Sequence, residues 1–80
     1  MIDYQNLRNS YITALHMGIA LNASYEEAKR GNDILHKFCE NCVDSSNYSE
    51  QEKQRMKHDL ELLKEALTKE IQKYYTCTQQ

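Results

Sequence analysis

The sequence predicts an all-α fold, a three-helix bundle with a long C-terminal helix, and three observations carry that prediction. Proline is absent and only two glycines occur in 80 residues, so long stretches are free of helix breakers. Apolar residues recur at spacings of three and four, the helical period. Two Ser-x-x-Glu patterns, Ser24 to Glu27 and Ser49 to Glu52, have the form of capping boxes and divide the chain into three. One domain over residues 1–80 is expected, with helices at about 4–22, 25–43 and 50–75.

The first helix starts near Asp3 or Tyr4. Its stripe is Leu7, Tyr11, Ala14 or Leu15, Gly18 and Leu21, widened by Ile12, Met17, Ile19 and Ala20. An apolar surface this broad predicts a helix central in the bundle, or shared with another molecule. Ala14 and Gly18 form a small-x-x-x-small pair that lets a second backbone approach.

For the second helix, the predicted buried face is Tyr25, Ala28, Gly31, Leu35, Phe38 and Cys42, supported by Ile34, Cys39 and Val43. Gly31, in the middle of that face, is read as a close helix crossing or a bend. Glu26 to Arg30 and Asp33 to Lys37 are expected as solvent-side ion pairs. A short polar loop, Asp44 to Tyr48, leads to the third helix. Its seam is Met56, Leu60, Leu63, Leu67, Ile71 and Tyr74, flanked by Ala66, with Glu65 to Lys69 as an external pair. At about 1.5 Å per residue this helix approaches 40 Å and overhangs the second, so Tyr74 to Cys77 need the first helix or a partner to cover them.

Ten Lys and Arg against twelve Asp and Glu give a net charge of -2, which supplies no general attraction for nucleic acid or an anionic membrane. Residues 1–24 carry only Asp3 and Arg8, whereas residues 49–80 hold six charges of each sign. Met1-Ile2-Asp3 lacks the basic start of a secretory signal, and the apolar stretch Tyr11 to Leu21 is shorter than the roughly 20 residues a membrane span needs. A cytoplasmic protein with reduced thiols is therefore expected, and in that compartment Asn22-Ala23-Ser24 and Asn47-Tyr48-Ser49 are inert as glycosylation patterns.

No ordered catalytic constellation or glycine-rich phosphate loop is present, so no enzyme and no cofactor are expected. His36, Cys39 and Cys42 share helical spacing that could bring metal ligands together, but they supply three donors where a closed zinc site needs four, and only a suitably arranged dimer or a carboxylate such as Glu40 would complete it. Cys77 falls at the far end of the bundle. Both cysteines of Cys39-x-x-Cys42 fall near a helix C-terminus beside Glu40 and Asp44, where a reactive thiolate is disfavoured, so they read as core residues. His16 reads as a neutral histidine in the core or an interface, and His58 as a surface residue. The densest basic stretch, Lys53, Arg55 and Lys57, is the candidate nucleic-acid patch, diluted by neighbouring acids.

Six tyrosines offer amphipathic contact surface. Together these features predict a helical protein-binding module, an adaptor, regulator or inhibitor of cellular, viral or mobile-element kind. Tyr4, Tyr11, Ile12, Leu15, Met17, Ile19, Tyr48 and Tyr75 are its expected contact residues. A homodimer through the first helix is also expected, because two other helices cannot hide both of its sides. The alternatives are a transcriptional regulator using the basic patch and a metal-binding or redox-regulated protein.

Overall fold

The computed structural model describes residues 3–78, with side chains through Thr76. It is the predicted three-helix bundle, α1 Tyr4–Ala20, α2 Tyr25–Asp44 and α3 Glu50–Thr78. The second helix runs antiparallel to the other two, so that Tyr25 meets Tyr75 and Asp44 meets Lys57. The bundle measures 47 × 19 × 17 Å, its length set by the 29 residues of α3. The side chain of Cys77, expected in the overhang, lies outside the described residues.

Each helix begins where a side chain satisfies the first free backbone N–H groups. Asp3 accepts from the Gln5 N–H at 3.0 Å. Both capping boxes form: Ser24 Oγ accepts from Glu27 N–H while Ser24 N–H donates to Glu27 Oε1, and Ser49 and Glu52 do the same. The first helix ends at Ala20 rather than Asn22 because Asn22 adopts a positive φ of 71°. The Asn22 N–H then donates to Ile19 O and the Ala23 N–H to Gly18 O, a Schellman closure that turns the chain into α2. At the other end of α2, Lys53 Nζ donates to the terminal carbonyl of Asp44 at 3.0 Å and stops the dipole with a cation.

Tyr11 and Leu15 of α1, Ala28, Cys39 and Val43 of α2, and Leu60, Leu63, Leu67 and Ile71 of α3 form the core. The seam predicted for α3 is the one observed, except that Tyr74 and Ala66 face out and Tyr75 packs in. On α2 the buried face is rotated from the predicted one. It runs Ala28, Asn32, His36, Cys39 and Val43, whereas Ile34 and Phe38 are exposed. At the centre of this face Asn32, 2% exposed, ties the three helices together. Its side-chain oxygen accepts from Tyr11 OH, and its Nδ2 donates to Lys64 O at 3.2 Å and to Thr68 Oγ1 at 3.1 Å. A buried amide so fully satisfied is tolerated in a core.

Three further expectations are corrected. The first helix is not enclosed: α2 and α3 cover one sector, leaving Asn6, Asn9, Ser10, Thr13, Ala14, His16 and Met17 in solvent. Gly31 marks no close crossing, since a Cβ there would meet nothing within 4 Å, and the same holds for Gly18. Asp33 pairs across the bundle with Lys64 at 3.2 Å instead of along its own helix with Lys37. The overhang of α3 is partly covered from within, by the Tyr75 hydroxyl donating to Ala23 O and by Tyr25 meeting the Tyr75 ring edge-on.

Candidate functional site

Two features of the folded chain stand apart from its apolar core cluster: a partly apolar outer face and a polar cluster on the opposite flank of α2.

The face follows from helical periodicity. Arg8 and His16 of α1 reach α3, the first to Asp59 at 3.1 Å and the second to Glu70 at 2.8 Å. On α2 the corresponding positions are Asp33, His36 and Asp44, which meet Lys64, Glu61 and Lys57. Stepping around each helix from its α3 side and past its core residues leads to Ser10, Ala14, Met17 and Leu21 on α1 and to Gly31, Ile34 and Phe38 on α2. Both strips therefore border the α1–α2 contact on the side turned away from α3. Leu21 is 79% and Phe38 58% exposed, with Met17 and Ile34 exposed to a similar degree. The outer surface of α1 forms a shallow depression lined by Asn6, Asn9, Ser10, Thr13, Ala14 and Met17, with no charged group. Leu62 on α3 is exposed apart from this face.

Of the contact residues read from the sequence, Met17 alone lies on that face as an exposed large apolar side chain. Tyr11 and Leu15 are buried, and Tyr4, Ile12, Ile19 and Tyr75 are half-buried against the core. Tyr4 OH donates to Asp59 Oδ2 at 2.5 Å and lies 3.2 Å from Met56 O; burial, then the Asp59 carboxylate, push its pKa up. Tyr48 is half-buried in the loop, where its N–H lies 3.4 Å from Ser46 Oγ. Ile34 and Phe38 were visible as apolar residues, but the reading that placed them in the core hid them as surface.

The basic stretch does not stand free as a patch. Lys53 caps Asp44 O, and Lys57 Nζ donates to Asp44 Oδ1 at 2.8 Å, which holds the ammonium above its ordinary pKa; of the three, Arg55 alone is exposed. His16 is exposed beside Glu70 rather than embedded.

The cysteine cluster separates. Cys39 is buried and Cys42 half-buried, both as free thiols. Burial, reinforced by Cys42, pushes the Cys39 thiol up to about 11, which suppresses its thiolate near neutral pH. His36 instead turns toward α3, where its Nε2 lies 3.2 Å from Glu61 Oε1 and its Nδ1 lies 3.7 Å from Glu40 Oε1, one turn further along α2. One donor atom from each of the three lies within 4.8 Å of the others. Glu40 stands one turn from His36 and is legible as a neighbour, whereas Glu61 stands more than twenty positions away and no local spacing announces it.

The chain matches no protein-family model, no curated protein and no solved structure. Among the described residues, no helix is long and apolar enough to cross a membrane.

Proposed function

We propose that this chain is a non-catalytic protein-binding module, an adaptor, regulator or inhibitor that covers or bridges another protein with the outer face of α1 and α2. The observation that supports the reading is the exposure of Met17 and Leu21 on α1 and of Ile34 and Phe38 on α2, on the side turned away from α3, next to an α1 surface without charge. A single exposed apolar side chain needs no explanation, but a row of them along two adjacent helices offers anchors for an elongated partner. The occupant is an apolar helix. The spacing of Ser10, Ala14, Met17 and Leu21 is that of a helix-packing seam, and the small residues Ala14, Gly18 and Gly31 leave room for its backbone. Because the α1 surface is uncharged, two copies do not repel through it, and self-association by the same face belongs to the proposal.

The test uses Met17→Glu and Phe38→Glu, which alter exposed positions and leave the melting temperature of the monomer nearly unchanged. Proteins co-purifying with the wild-type chain from its source cells are compared with those retained by each variant. Sedimentation equilibrium over a hundredfold concentration range follows self-association in parallel. The expected result is loss of the same partner, and of any dimer, in both variants. Unchanged co-purification and unchanged sedimentation would refute this face as the binding surface.

A further inference from the structure

We propose that His36, Glu40 and Glu61 form a binding site for a borderline divalent transition-metal cation of the zinc type, which bridges α2 and α3. This goes beyond the protein-binding reading and stands independently of it. The three side chains come from facing helices, with one donor atom of each within 4.8 Å of the others. The second observation is His36 itself. The residue is 5% exposed, and its Nε2 is buried with no hydrogen-bond partner, aimed toward Glu61.

The contact to Glu61 is close, at 3.2 Å, but does not meet hydrogen-bond geometry, so nitrogen and oxygen approach without sharing a proton well. In a neutral imidazole with its proton on Nδ1, the Nε2 lone pair would oppose a carboxylate lone pair, and a cation between them removes the repulsion. Metal ligands converge on a third point instead of on each other. In a tetrahedral site with bonds of about 2.0 Å, two donors lie roughly 3.3 Å apart, close to the observed separation. Glu40, on the same helix one turn on, offers the third donor: its Oε1 lies 3.7 Å from Nδ1, and one donor atom of each of the three residues lies within 4.8 Å of the others.

One imidazole and two carboxylates suit zinc, cobalt or manganese better than calcium or magnesium, which take oxygen donors alone. Two carboxylates and a neutral imidazole match the charge of a divalent ion. Lys37 and Lys64 also border the recess, and Lys64 is held by Asp33 at 3.2 Å, which offsets one of the two positive charges. Three protein donors leave a fourth position to water or to a donor from another molecule.

The test is calorimetric titration of the full chain with zinc chloride and, separately, cobalt chloride under a non-chelating reductant. The comparison is with Glu40→Gln/Glu61→Gln, whose positions are not in the core and whose replacement leaves the fold intact. Wild type is expected to bind one equivalent, and the double variant to bind at least about tenfold more weakly, since even partners of metal ligands are worth that much. Zinc should raise the melting temperature of wild type and not of the variant. His16→Gln and His58→Gln should bind as wild type does. The cobalt complex should lack a thiolate charge-transfer band. Absence of wild-type binding up to millimolar metal, equal binding by the double variant, or a thiolate band would each overturn the site.

Discussion

Asn32 is the side chain on which the register of the bundle depends, and truncating it to alanine is the most informative single perturbation. Asn32→Ala removes the acceptor for Tyr11 OH and the donor to Lys64 O and Thr68 Oγ1. Tyr11 keeps a second contact to the Asn32 carbonyl at 3.3 Å, and Thr68 keeps its bond to Lys64 O at 2.8 Å, so neither is left wholly unsatisfied. Three side-chain hydrogen bonds at about 1 kcal/mol each, with a small cavity in addition, give a loss of about 3 kcal/mol. A domain of this size has a total stability of roughly 4–12 kcal/mol, so the change should be large and still leave folded protein. Urea unfolding followed by far-ultraviolet circular dichroism measures it, on wild type, Asn32→Ala, Tyr11→Phe and the double variant. Tyr11→Phe alone should cost about 1 kcal/mol, and the two changes should couple by about 1 kcal/mol because the tyrosine hydroxyl has lost its main acceptor. A loss under about 0.5 kcal/mol for Asn32→Ala, or strictly additive changes, would show that the buried amide does not hold the α2 rotation and that the reasoning is wrong.

Two other outcomes follow from local geometry. Gly31→Ala and Gly18→Ala should stabilise the free chain, by about 1 kcal/mol at the mid-helix position and less in the last turn of α1, because neither new methyl meets another atom within 4 Å and both positions are helical. Thermal melts check it; a fall in melting temperature for Gly31→Ala would mean that the free chain packs something against that position. At the N-terminus of α2, the backbone N–H and then the hydroxyl of Ser24 hold the Glu27 carboxyl below the usual carboxylate range. A lowered folded pKa contributes stability that is present above the unfolded value of about 4.3 and is lost as pH falls through the folded value. Acidification from about pH 5 to pH 3 should therefore destabilise wild type more than Glu27→Gln in urea titrations, and equal losses would refute the assignment.

Much of the fold was legible because it is written in local chemistry. The two capping boxes depend on residues three apart, and the α3 seam repeats leucine and isoleucine without interruption, so both could be read from neighbours alone. The end of α1 was not legible to the residue, since Asn22 takes its positive φ only once the turn into α2 exists. The candidate site fared worse for a physical reason. The His36, Glu40 and Glu61 cluster depends on the register between two helices, which sequence spacing does not encode, and the cysteines beside it drew attention because their spacing is local.

The rotation of α2 joins the fold to the proposed function. Counting apolar residues turns Gly31, Leu35, Phe38 and Cys42 inward, yet the chain buries Asn32 and His36 and leaves Ile34 and Phe38 outside. Burying two such side chains fully would add about 1.5–3 kcal/mol each, a sum comparable with the whole stability of a small domain. What opposes that gain is the face already buried: turning α2 by one position would expose Ala28, Cys39 and Val43, carry the Asn32 amide away from its partners and strand Tyr11 OH in the core, while pulling His36 away from Glu61. The buried polar residues thus act with Ala28, Cys39 and Val43 as a register lock that holds an apolar strip in water. Asn32→Ala together with Val43→Ala removes the bonds of the amide and part of the apolar hold on the buried face, and should let α2 turn Phe38 inward. The double variant should then lose the partner that wild type binds even though no residue of the binding face has been changed. Persistence of binding, together with an equally reactive position 38 in a Phe38→Cys version of wild type and variant, would show that the strip faces outward for some reason other than this lock.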